Sequence, residues 1–163
     1  MSKNNILIRE ITADDDEQIA KVIRSVLIEF GVPKVGTAYE DKALDCMTET
    51  YNKPTSIYFV LDKEGEVIGG AGIAHLDNFD GSVCELQKMY FLPEARGLGL
   101  GKLMIEKCLA TAKELGFESC YLETLPYMKA ATKLYGTMGF TSLEKPLGNT
   151  GHYSCNVWML KKL

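Results

Sequence analysis

Between residues 93 and 102 the chain reads PEARGLGLGK, with glycines alternating at 97, 99 and 101. No other stretch so narrows what can fold around it. A strand-like run, VCELQKMYFL, comes before it. After it, Leu103, Met104, Cys108, Ala112 and Leu115 recur at helical spacing until Gly116. The glycines therefore fall where a helix begins, and they leave N–H groups there without side-chain cover. Bare amides and the positive end of a helix dipole make a site for phosphate oxygens, to which Arg96 and Lys102 add charge. Two other phosphate loops do not fit. A Walker loop needs glycine five residues before the Gly-Lys pair and Ser or Thr after the lysine, and those places hold Arg96 and Leu103. A G-x-G-x-x-G fingerprint needs its third glycine where Met104 stands.

Around this loop the pattern alternates between strand and helix. NILIREI, residues 5–11, reads as a first strand. Thr12 and Asp15 form a capping-box pattern, after which Ile19, Val22, Ile23, Val26, Leu27 and Phe30 keep helical spacing up to Gly31. GVPKVGTA is a loop, and Thr37 with Glu40 predicts a cap for a second helix running through Tyr51. SIYFVLD and EVIGGAGIAHL flank a turn containing Lys63, Glu64 and Gly65 and read as a hairpin, which VCELQKMYFL extends in antiparallel series. SCYLETL is reached only through the helix after the glycine loop, so one parallel pair is expected there. A shorter helix from about Met128 to Met138 ends at Gly139, and two C-terminal strands follow, the last around YSCNVWML. The sum is one α/β domain over residues 1–163 with a mixed sheet.

The apolar share of 46% and charged share of 25% are those of a folding, globular chain and exclude a disordered or membrane-embedded one. MSKNNILIRE offers only Ile6, Leu7 and Ile8 before Arg9, too little for a signal-peptide core or a membrane span, which predicts a cytoplasmic protein. The cysteines at 46, 84, 108, 120 and 155 are odd in number, lack CxxC spacing and sit in apolar segments, so they read as reduced, packed thiols. His75 and His152 lie at no metal-ligand spacing, and no metal is expected. A net charge of −4 argues against nucleic acid or an anionic membrane as the main partner.

Arg96-Gly97-Leu98-Gly99-Leu100-Gly101 spells R-x-x-G-x-G, the pyrophosphate-binding signature of the GNAT acetyltransferase superfamily. ELQKMYFLPEARG before it resembles that family's fourth strand, and ETLPYMKAATKLYGTMGF after it resembles the fifth strand and following helix. With the IREIT opening and two early helices, the resemblance spans nearly the whole chain. It implies a mixed, mostly antiparallel sheet of six to seven strands with about four helices, splayed at strands 4 and 5. It also implies acetyl-CoA as co-substrate, held by Tyr90, Phe91, Leu92, Arg96, Gly97, Leu98, Gly99, Leu100, Gly101, Lys102 and Met128, with an amide near Tyr90 at the thioester oxygen. Many members carry asparagine where this chain has Met128, so one polar contact to the cofactor is expected to be lost here.

The same resemblance supplies the reaction: transfer of the acetyl group to a primary amine of a small molecule or peptide, by direct attack in a ternary complex. A lysine-like amine has a pKa of about 10.4 and needs a base. Glu85 stands where some members carry one, and it reads equally well as a solvated strand carboxylate. Tyr135 matches the tyrosine that protonates the departing thiolate, although its place on an amphipathic helix also suits a core residue. His152 and Tyr153 read as a surface turn more readily than as acceptor contacts. The alternative to an enzyme is a catalytically silent acyl-CoA sensor or docking module, motivated by Met128. Many members pair through sheet edges, which makes a homodimer an option.

Overall fold

Strands joined by tight turns pair antiparallel, whereas strands joined by a helical crossover pair parallel. The computed structural model describes residues 5–163, so residues 1–4, the start of the stretch read as too short for a leader, lie outside the described residues. Seven strands, β1 (Ile6–Glu10), β2 (Ile57–Lys63), β3 (Glu66–His75), β4 (Val83–Phe91), β5 (Ser119–Thr124), β6 (Thr141–Leu143) and β7 (Val157–Lys162), form one sheet in the order β1-β2-β3-β4-β5-β7-β6. Only β4 and β5 run parallel. The β2–β3 turn uses Glu64 (φ 52) and Gly65 (φ 92), left-handed at both positions as a two-residue hairpin requires, and Asp62 accepts the Gly65 N–H at 2.7 Å.

Helices α1 (Asp16–Glu29) and α2 (Met47–Thr50) cover one face of the sheet, and α3 (Leu100–Glu114) and α4 (Lys129–Thr137) cover the other. Strand β2 is buried on both sides: Tyr58 and Val60 pack under α1, and Phe59 and Leu61 pack toward α3. α1 buries Ile19, Val22, Ile23, Val26 and Leu27 of its predicted stripe, while Phe30, the cap residue past the helix end, is exposed. Each such side chain contributes about 1.5–3 kcal/mol relative to exposure. Asp15 accepts the Thr12 N–H at 2.8 Å at the start of this segment, and Arg9 grips the same carboxylate at 2.8 and 2.9 Å.

Three local expectations are corrected. The second helix through Tyr51 is instead a pair of 3-10 turns, at 38–40 and 42–46, followed by the short α2, because Asp41 takes an extended backbone (ψ 118) and Cys46 leaves the helical region. On α3 the buried stripe is Leu100, Met104, Ile105, Cys108 and Ala112, while Leu103 and Leu115 are exposed: at 100° per residue Leu103 falls beside that stripe, and Leu115, on the stripe's side, is the cap residue past the helix end. The last strand starts at Val157, after Tyr153 and Cys155. All five cysteines are free thiols. Among the described residues no helix is long and apolar enough to cross a membrane.

Candidate active site

The parallel pairing of β4 with β5 stops at Glu85–Tyr121, although both strands continue. Beyond that point they part, and the gap between them organises everything polar in the molecule's centre. On one side lies the glycine loop. Gly97 (φ 74) and Gly99 (φ 77) take left-handed conformations that cost other residues about 1–2 kcal/mol, and Gly99 caps α3. Among the described residues, the N–H groups of Gly97 to Lys102 find no acceptor. All of these residues but Leu98 line a cavity of about 330 Å³. Tyr90, Phe91, Arg96, Gly97, Gly99, Leu100, Gly101, Lys102 and Met128 line it, joined by Met89, Ala130, Ala131 and Leu134, which the sequence reading did not include. A Cβ on Gly101 would come within 2.8 Å of Leu134, so this glycine keeps the cavity wall thin.

Leu92 and Leu98 do not line the cavity. Both pack against the core, and the Leu92 N–H donates to the Ile68 carbonyl at 2.9 Å. The Arg96 guanidinium is already engaged: Nε donates to Phe91 O at 3.0 Å, and both terminal nitrogens hold Glu29 at 2.8 Å. Lys102 is exposed, with only Glu106 nearby at 3.9 Å.

Where the strands part, a cavity of about 50 Å³ continues from this slot, and Tyr90, Met128 and Tyr135 border both. Tyr135 projects from α4 with its ring edge-on to Phe140, centroids 6.0 Å apart. Its hydroxyl makes no hydrogen bond among the described residues, and burial raises its pKa, so the phenol keeps a free proton to donate.

On the far side a third cavity, of about 310 Å³, is polar. Its wall depends on glycines in β3. A Cβ on Gly70 or Gly72 would lie 2.6 or 2.5 Å from the Tyr58 ring, so their absence lets that buried ring lie against β3 and donate its hydroxyl to the Lys88 carbonyl at 2.7 Å. At this place the register slips: Gly70 faces Tyr90 but Gly72 faces Gln87, and Lys88 takes φ 50. The bulge breaks the alternation of β4, and Lys88 joins Glu85 and Gln87 on the cavity wall instead of following Cys84 and Leu86 into the core.

Glu85 is buried, and its pKa is pushed up to about 7, chiefly by desolvation, against a 2.7 Å hydrogen bond from Gln87. Gln87 in turn accepts from Tyr51 at 2.6 Å. Opposite them, His152 Nε2 meets the two Asp41 oxygens at 3.0 and 2.8 Å. Burial disfavours charge on both, but the ion pair outweighs it, raising the His152 pKa and lowering that of Asp41. His152 therefore faces this cavity, whereas Tyr153 is 73% exposed. Asp41, Gln87 and Lys88 escaped the sequence reading; the glycines of GGAG, which mark a bulge or a close approach in a strand, were the one available signal. Among the described residues no group of His, Cys, Asp and Glu could hold a metal ion.

Comparison with known proteins places the family and the fold. The sequence profile of the acetyltransferase (GNAT) family matches residues 23–140. The chain is 44% identical over 158 residues to the uncharacterized N-acetyltransferase YjgM of Escherichia coli, covering 96% of this chain and 95% of that one. Its fold is similar to a GNAT-family acetyltransferase of Staphylococcus aureus Mu50 (TM-score 0.84, 22% identity, 97% and 99% of the two chains). It is also similar to a phosphinothricin acetyltransferase of Sinorhizobium meliloti in complex with AcCoA (TM-score 0.77, 19% identity, 98% and 89%).

Proposed function

The chain belongs to the acetyltransferase (GNAT) family, and from that membership we propose that it transfers the acetyl group of acetyl-CoA to a primary amine by direct attack in a ternary complex. One observation carries the reading. An apolar slot runs from the unpaired amides of the glycine loop to the unbonded Tyr135 hydroxyl, and a polar cavity holding Glu85 adjoins it across the gap between β4 and β5.

The loop amides of Gly97 to Lys102 suit the diphosphate, and the apolar walls suit the pantetheine arm. Glu85, half ionised near pH 7, takes a proton from the incoming ammonium, directly or through water. The amine nitrogen then bonds to the acetyl carbon. Negative charge building on the carbonyl oxygen meets an amide beside the bulge near Tyr90, a contact worth several kcal/mol (about 3–4 in known acyl transfer). The carbon–sulfur bond breaks, and Tyr135 gives its proton to the departing thiolate. The products are the N-acetylated amine and free CoA. Met128 offers no polar side-chain contact, so main-chain groups hold the cofactor there.

Thiol release from acetyl-CoA across a panel of amines tests this. Release that depends on acceptor is expected. Tight CoA binding by calorimetry with no turnover on any amine would favour a silent CoA-binding module instead.

A further inference from the structure

Lys88 is a buried cation held by one loose ion pair among the described residues. Its side chain is only 8% exposed, and the nearest carboxylate oxygen, on Asp41, lies 3.6 Å away, outside hydrogen-bond reach. The Tyr51 ring, 6.0 Å off, is its other attractive neighbour. An ammonium carries three donors, and a buried one left short of acceptors is costly. Asp41 is the one carboxylate within 4 Å of this ammonium among the described residues, and it is shared with His152. The Asp41–His152 pair and Lys88 face the cavity together. Ser56, against the same cavity, has a buried hydroxyl without any partner. Lys88 asks for an acceptor-rich anion, and the Ser56 hydroxyl can donate to the same group. Glu85, on the same strand and the same wall, asks instead for a cation.

Resting on the acetyl-transfer reading above, we propose that the acceptor is a small amino acid-like molecule, its carboxylate on Lys88 and its amine toward Glu85. The other charges around this cavity agree with a zwitterion. Asp41, Asp77 and Glu85 stand among Lys42, Lys53, Lys88 and His152, so a polyamine would bring several positive charges to a wall already rich in them. An amine without a carboxylate would leave Lys88 as it is now. A cavity of about 310 Å³ has room for an amino acid. The bulge gives the arrangement its purpose: without it, Lys88 would alternate toward the opposite face, and the cavity would lose the lysine that shares Glu85's strand.

The test compares matched acceptors on the unaltered chain: free amino acids, the same compounds as carboxamides, the corresponding amines lacking the carboxylate, and a polyamine. For the best amino acid, kcat/KM should exceed that of its carboxamide by about tenfold or more, the scale of a charge-assisted bond to a buried group. In Lys88→Gln that ratio should collapse toward unity, mainly through a higher KM for the free acid. Equal use of acids and carboxamides by the unaltered chain would overturn the proposal, and so would a K88Q ratio equal to the unaltered one, since a merely structural lysine lowers both rates alike. If K88Q does not fold, the acid–carboxamide comparison decides alone. Thermal melting of the CoA complex reads the acceptor site without turnover. Amino acids should raise the melting temperature and their carboxamides should not. Stabilisation by the acids with no thiol release would break the transfer reading while keeping the ligand class, whereas thiol release with equal use of both would do the reverse.

Discussion

On the glycine-loop side of the gap the binding groups are main-chain N–H donors and apolar walls, drawn mostly from β4, the loop, α3 and α4, with Val26 and Phe30 added from α1 and its cap. On the other side every polar group is a side chain, and the set comes from distant segments: Asp41 before α2, Glu85 and Lys88 on β4, and His152 just before β7. The first side tolerates changes in side chains so long as glycines stay where a Cβ would clash or φ is positive. The second has no such tolerance, because each network member satisfies or tunes another. A chain built this way can hold its donor constant while its acceptor changes by single substitutions.

The sharpest way to break that division is at Tyr135, which borders both the slot and the gap. Tyr135→Phe should lower kcat by about 10²–10³-fold, the usual worth of a positioned proton donor, while the CoA dissociation constant stays within about twofold. Its hydroxyl has no protein partner to lose, so the melting temperature should not fall. Calorimetry and steady-state rates check both, and a kcat within a factor of about three would remove Tyr135 from the reaction.

Glu85→Gln probes the side-chain side, with an expected loss of about a hundredfold in kcat/KM. In the unaltered enzyme kcat/KM should rise with pH and level off above about 7, where Glu85 ionises, and the variant should lack that step. Stability should move the opposite way. The folded-state pKa of about 7 lies above the ordinary 4.5, so the folded chain holds this proton more tightly than the unfolded one. That contribution is fully present below pH 4.5 and is lost as pH rises through 7, about 3 kcal/mol in all. E85Q should therefore melt above the unaltered chain at pH 8, and the difference should vanish in acid. A variant that melts lower at pH 8 would contradict the buried, desolvated carboxylate.

Gly101→Val probes the main-chain side. Its Cβ would meet Leu134 at 2.8 Å with no main-chain hydrogen bond at stake. Overpacking of this kind costs about 1–3 kcal/mol, so CoA binding should weaken by about tenfold or more, with the acceptor KM little changed. An unchanged CoA affinity by calorimetry would show that the slot wall gives way.

These two sides were not equally legible in the sequence. Gly97 and Gly99 announce themselves because no other residue sits comfortably at φ 74 and 77, and a repeated glycine between a strand and a helix has few meanings. The antiparallel series β2-β3-β4 and the parallel β4–β5 pair followed from turn and crossover lengths, while the places of β1, β6 and β7 did not. Lys88 was illegible because strict alternation sends it with Cys84 and Leu86 toward α3; only the slip opposite Gly70 and Gly72 turns it round. The Asp41–His152 pair joins residues 111 apart in a part of the chain whose helix signals gave way to short turns, and nothing local to either marks the contact. Backbone requirements leave traces in composition, whereas contacts between distant side chains do not.

The smallest expected effect sits where the two kinds of construction meet, at Arg96 and Glu29. Arg96 could serve the diphosphate only by leaving a bidentate pair at 2.8 Å, while its Nε bond to Phe91 O fixes the base of the loop either way. Both partners are partly exposed, at 33% and 40%, and exposed pairs are weak, so exchange of carboxylate for phosphate is an easy step. Glu29→Ala should then free the guanidinium and remove a negative charge near the slot mouth. CoA should bind about two- to fivefold tighter at low ionic strength, with the gain fading as salt screens it. Weaker binding in Glu29→Ala at every salt concentration would mean the reverse: that the pair is a strap holding the loop in shape, and that the amides alone receive the diphosphate.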